Sequence, residues 1–99
     1  MAVFWTVDAV ELSTHGDVLR VRWGLIDTRQ NAWVNGRPHV AEVADVVALI
    51  NSGAEVWTLL PDGSSGPLLQ VVPARVDPAI STIEMMGQAP TVRDLEQIS

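Results

Sequence analysis

The sequence predicts an α+β domain: a mostly antiparallel four- or five-stranded sheet with one central helix packed on one face. Three observations carry that reading. Alternating apolar and polar residues mark a strand pair on each side of the middle of the chain, and a single helical stretch separates the pairs. The turn chemistry between paired strands suits hairpins. The 99 residues suffice for one core and leave no room for a second, so residues 1–99 form a single domain.

The first strand runs from Ala2 to Leu12, with Val3, Trp5, Val7 and Ala9 alternating against Phe4, Thr6 and Asp8. Ser13-Thr14-His15-Gly16-Asp17 is a turn, and Val18 to Gly24 is the second strand, with Leu19, Val21 and Trp23 opposed to Arg20 and Arg22. A polar connection from Leu25 to Arg37 holds Trp33, which is expected to plug the edge of the core. Pro38 to Gly53 reads as the helix, opened by proline and closed by a glycine able to adopt positive φ. Its wheel puts Val40, Val43, Ala44, Val47 and Ile50 on the core face, with Val46 at the edge. Leu49 falls opposite, between Glu42 and Asp45, where the tail (Leu95, Ile98) or a second subunit would cover it.

Ala54 to Leu60 is the third strand, Pro61 to Pro67 a flexible hairpin loop, and Leu68 to Val76 the fourth strand, which Pro73 ends, bends or pushes to an edge. Ala79 to Met85 is a short fifth strand. Thr91 and Asp94 have the spacing of a capping box, so Val92 to Ile98 is expected to form a last helical turn or two. The order is ββαββ(β), then the short C-terminal helical turn. The expected core joins Trp5, Val21, Trp23, Val43, Val47 and Ile50.

Gly16-Asp17-Val18, Val21-Arg22-Trp23, Trp33, Val43 to Ile50 running into Gly53, Val56, Gly63, Val71-Val72 and Ile80-Ser81-Thr82 resemble a small bacterial family. It is the family known as domain of unknown function 3892. The resemblance spans nearly the whole chain and consists of hydrophobic spacing with a few glycines and tryptophans. The end departs from the family pattern, which closes on Asn-Leu-Leu and Leu-Pro, where this chain has Asp94 to Ser99. The resemblance implies no activity, cofactor or catalytic residue.

Composition narrows the chemistry. The chain has no cysteine, which excludes disulfides, thiol catalysis and Cys-ligated metals. Its net charge is −6 and its positive charge is all arginine, a balance that opposes general affinity for nucleic acid or anionic membrane. The beginning, interrupted by Asp8 and Glu11, does not read as a secretory signal, and no apolar run is long enough to span a bilayer, so a cytoplasmic protein is expected.

His15 and Asp17 are the nearest approach to an acid–base pair, but at a hairpin tip without a nucleophile they read as turn formers and a solvated imidazole. His39 and Glu42, one helical turn apart, are two metal-ligand types without a third. Gly63 to Gly66 lacks the lysine and helix of a phosphate loop. Asp8, Glu11 and Asp17 read as ordinary surface carboxylates. No catalytic residue, metal site or cofactor is expected.

The function read from this pattern is a non-catalytic interaction or binding module, with a second copy or another protein as partner. The alternatives are a small enzyme with its site at a dimer interface and an acidic toxin-neutralising or phage-related inhibitor. One helix covers one side of a sheet. The opposite side then presents Phe4, Arg20, Arg22 and Trp57 as the interaction face, because tryptophan and arginine are enriched at interface centres. Single-stranded RNA stacking on those aromatics is the sharper rival, opposed by the charge. The plainer alternative is a self-satisfied face in which Asp8 pairs with Arg20 or Arg22 and an arginine stacks on Trp57.

Overall fold

The computed structural model describes residues 3–34 and 36–98. The start of the first strand at Ala2, Asn35 of the polar connection and the terminal Ser99 lie outside the described residues. The first hairpin forms as expected: β1 (Val3–Leu12) runs antiparallel to β2 (Val18–Asp27). β2 continues past Gly24 to Asp27, three residues further than the polarity of the segment suggests.

Two bulges interrupt the pair. Asp8 has no partner between Val7↔Trp23 and Ala9↔Arg22, and Leu19 has none between Glu11↔Arg20 and Leu12↔Val18. An extra residue shifts the alternation by one, so Val10 joins Trp5 and Val7 on one face while Ala9 moves to the other. Leu19, expected under the helix, is instead extruded and exposed.

The largest departure is at Pro38–Gly53. His39–Glu42 is a strand, β4, antiparallel to β2, and the helix α1 is only Val43–Asn51. Valine-rich segments suit a pleated strand as well as a helix, and β2 offers a free edge that the first residues satisfy. The core face of α1 rotates accordingly. Val46 is fully buried, Val43, Val47 and Ile50 pack beside it, Ala44 is exposed, and Val40, on β4, is 52% exposed. Leu49 is half-buried against the same core, to which Leu95 of the tail also belongs.

β5 (Val56–Leu59) pairs with β1 in parallel, within a sheet expected to be mostly antiparallel. The cause is connectivity. A strand, a helix and a second strand return the chain to its original direction, and β4 and β5 are both parallel to β1, with β1 and β2 between them. β6 (Ser65–Gly66) closes a tight hairpin on β5, and β3 (Ala32–Trp33) pairs with the end of β2. The main sheet is therefore seven-stranded and mixed, of order β3-β2-β1-β5-β6, with β4 on β2 and β9 (Glu96–Gln97) on β1.

The fourth and fifth expected strands leave this sheet. β7 (Leu69–Pro73) and β8 (Ser81–Met85) form a separate antiparallel pair, with Pro73 at its end. The capping box forms as read: the Asp94 carboxylate accepts from the Thr91 N–H at 2.8 Å, and the Thr91 hydroxyl accepts from the Arg93 N–H. It opens one 3-10 turn (Val92–Asp94), not an α-helix. The chain then runs parallel to β1, with the Ile98 N–H donating to the Val10 carbonyl at 2.9 Å.

One core results. Val7, Val10, Val21, Trp23 and Val56 of the main sheet meet Val46 of α1, Leu69, Ile83 and Met85 of the second sheet, and Val92 and Leu95 of the tail. Trp5 stacks on Trp23 with ring centroids 4.5 Å apart. Over the described residues the chain is α+β and strand-rich with one α-helix, as its pattern predicts. No helix among the described residues is long and apolar enough to cross a membrane.

Candidate functional site: the sheet face opposite the helix

Register decides which side chains share the face turned away from α1. The pairs Phe4↔Ile26 and Thr6↔Gly24 lie on it, as do Ala9↔Arg22 and Glu11↔Arg20 beyond the Asp8 bulge. Trp33 joins beside Ile26, Trp57 beside Thr6, Val40 and Glu42 beside the two arginines, and Glu96 beside Ala9. Phe4, Arg20, Arg22 and Trp57 thus occupy one face, but at two ends of it. From Phe4 to Ala9 is five residues of strand, ~17 Å at ~3.3 Å per residue.

The charged end is internally paired. Arg22 donates to both carboxylate oxygens of Asp8, at 2.9 and 3.1 Å, and to Glu96 at 2.8 Å. The bidentate bond to Asp8 raises the Arg22 pKa further, against the opposing effect of burial. Arg20 sits 3.6 Å from Glu11 and 3.5 Å from Glu42. Asp8 can reach Arg22 because the bulge frees it from the ladder. These bonds tie β1, β2, β4 and β9 together.

The aromatic end is different. The Phe4 and Trp57 rings meet at 77° with centroids 6.2 Å apart, so phenylalanine, not an arginine, is the ring partner of Trp57. Together they line a cavity of about 280 Å³ with Thr6, Ile26, Leu59 and the turn residues Asn31 and Gly63. Phe4 is 38% exposed. Gly24 makes room nearby: a Cβ there would meet the Trp33 ring at 3.1 Å, so Trp33 rests on the sheet at this point. Trp33 is half-buried on this face rather than plugging the core beneath α1. On the loop below, the Asp62 carboxylate accepts from the Ser64 hydroxyl at 2.6 Å and the Ser64 N–H at 2.9 Å, which holds its pKa below the usual carboxylate range.

Ile26 and Asn31 were not legible as site residues because the second strand appeared to end at Gly24. The surviving signal is the alternation itself, in which Trp23 and Leu25 continue one face and Gly24 and Ile26 the other.

The other polar features resolve as structural. Asp17 is buried, not exposed at a hairpin tip. Its carboxylate accepts the Arg75 N–H at 2.8 and 3.0 Å and the Val76 N–H at 3.1 Å, and the Arg75 bond is the main cause of its lowered pKa. It is a clasp between the first turn and the loop after β7. Glu84 accepts from Met85 and Val92 N–H groups, both at 2.9 Å, and pairs with Arg93, which also donates to the Gly16 carbonyl. Burial works to raise the Glu84 pKa, but those donors outweigh it and the pKa is lowered.

His15 is exposed. His39 and Glu42 lie three apart on a strand, so they project to opposite faces and cannot share a ligand. No group of three or more His, Asp or Glu side chains among the described residues is placed to hold a metal ion. No protein-family model, no curated protein and no solved structure matches the chain.

Proposed function

We propose that this protein is a non-catalytic interaction module that recognises a partner protein through the aromatic end of the sheet face opposite α1. The observation that carries the reading is the cavity of about 280 Å³ walled by Phe4 and Trp57. It lies just below the range for ligand pockets, roughly 300–1,000 Å³, which suits one projecting side chain of a partner better than a whole substrate. Partly exposed aromatics around such a notch are the kind of residue that becomes an interface hot spot once a partner buries them. Phe4 and Trp57 are the anchors in this reading, and Arg20 and Arg22, held in ion pairs, form its polar rim.

Self-association would use the same surface. The test is light scattering of wild type and Trp57→Ala at micromolar concentration, together with ¹⁹F spectra of protein carrying 5-fluorotryptophan. Partner binding should move the Trp57 resonance and leave that of Trp23, buried in the core, in place. Monomers in both samples and a Trp57 signal unmoved by co-purifying proteins would defeat the reading.

A further inference from the structure

Building on the interaction reading, we propose that the Phe4–Trp57 cavity takes an alkylated ammonium group, the cationic head of a lysine-type side chain or of a free quaternary amine. The walls supply the first reason. Two aromatic rings at 77° both line the space, and ring faces attract a cation through their quadrupole, most strongly where the cation is desolvated. The rest of the lining is apolar or neutral, with Ile26 and Leu59 offering contact to methyl or methylene groups and no arginine competing inside.

Charge supplies the second reason. Asp62 immediately precedes the lining Gly63. Ser64 donates to the Asp62 carboxylate twice and holds its pKa below the usual carboxylate range. Arg29, exposed on the turn after Thr28, is not among the residues that line the cavity. The whole chain carries −6. An anion would meet no cationic side chain in the lining, and a neutral apolar group would draw nothing from the Asp62 carboxylate. An arginine head needs acceptors placed in the plane of its fork, whereas an alkylated ammonium is attracted by ring faces alone.

The test compares choline with 3,3-dimethylbutanol, which has the same shape and no charge, by NMR titration of the intact chain. Choline is expected to bind in the millimolar range, roughly five- to thirty-fold tighter than the alcohol, the span that one or two cation–π contacts supply. The preference should fall below about twofold in Trp57→Leu and in Phe4→Leu, each of which keeps an apolar wall, and should weaken with salt and in Asp62→Asn. Two separate ring variants guard against one failing to fold, and a thermal melt of each confirms that it has folded. Tighter binding of N-acetyl-trimethyllysine amide than of choline would assign the group to a protein side chain, and the reverse order to a free amine. Equal binding of choline and the alcohol would overturn the inference and leave an apolar notch, with the interaction reading intact. No response of Phe4 or Trp57 to choline at tens of millimolar would overturn it as well.

Discussion

Replacing Val46 by alanine should cost this protein about 2–3 kcal/mol, while replacing Val40 should cost very little. Val46 is fully buried at the contact of α1 with both sheets. Its truncation removes two methyl groups worth about 0.8 kcal/mol each, and a residual void of roughly 40 Å³ adds about 1 kcal/mol at ~24 cal/mol per Å³. Val40 is 52% exposed on β4, where truncation should stay within about 0.5 kcal/mol. For a domain of this length the Val46 loss corresponds to a fall in Tm of roughly 10–20 °C. Guanidinium unfolding followed by tryptophan fluorescence measures both, and an unchanged m-value shows that the denatured state is not responsible. Helical periodicity over Pro38–Gly53 assigns the opposite ranking, with Val40 on the core face and Val46 at its edge. A larger loss for Val40→Ala than for Val46→Ala would therefore refute the strand–helix division at Glu42.

Glu84→Gln should lower stability by about 1–2 kcal/mol at neutral pH, because a charged acceptor of two backbone N–H groups becomes a neutral one. The folded-state pKa of Glu84 is lowered, so its contribution is complete above the ordinary carboxylate pKa and disappears as pH falls through the folded value. The gap between variant and wild type should accordingly close in acid, and a gap that widens in acid would contradict the assignment. Asp17 titrates with the same sign, and Asp17→Asn should speed amide exchange of Arg75 and Val76, whose N–H groups it accepts, more than that of β1. Arg22→Leu should cost no more than about 1 kcal/mol, since the ion network is partly exposed. It should loosen the Ile98 amide while leaving cavity binding unchanged, and a lost cavity signal would show that the two ends of the face are coupled.

The fold was legible wherever one period dominated and turn chemistry agreed with it. The first hairpin, the helical core of Val43–Asn51 and the capping box at Thr91 all have that property. Val21 and Trp23 are in the core as expected, with Trp5, Val43, Val47 and Ile50 packed against it. Misreadings arose where local pattern was degenerate. Val40 and Ala41 fit a strand edge as well as a first helical turn, and only the free edge of β2, a contact distant in sequence, decides between them. The bulges at Asp8 and Leu19 are one-residue events that reverse the facing of everything beyond them, and neither residue announces it. The separation of β7 and β8 into a second sheet is likewise a matter of long-range pairing, because Leu69–Pro73 would satisfy the edge of either sheet.

The candidate site was half legible for the same reason. Period-two reasoning places Phe4, Trp57 and both arginines on one face, which is where the register puts them, but it carries no information on distance along the strand. The Asp8 bulge turns that omission into a consequence. It frees a carboxylate to hold Arg22, pins Glu96 of β9 to the same guanidinium, and leaves the arginines committed at one end. The rings at the other end have each other and an open cavity. A face mixed in composition is thus partitioned in space, with the arginines paired within the chain and apolar groups left with surface to bury. Since the ion pairs already hold the strands together, association through this face has least to displace at the ring end. The arginines, to contribute, would first have to exchange bonds that they already make. The partition therefore predicts an interface whose affinity depends on Phe4 and Trp57 and whose arginines influence chiefly the rate of encounter.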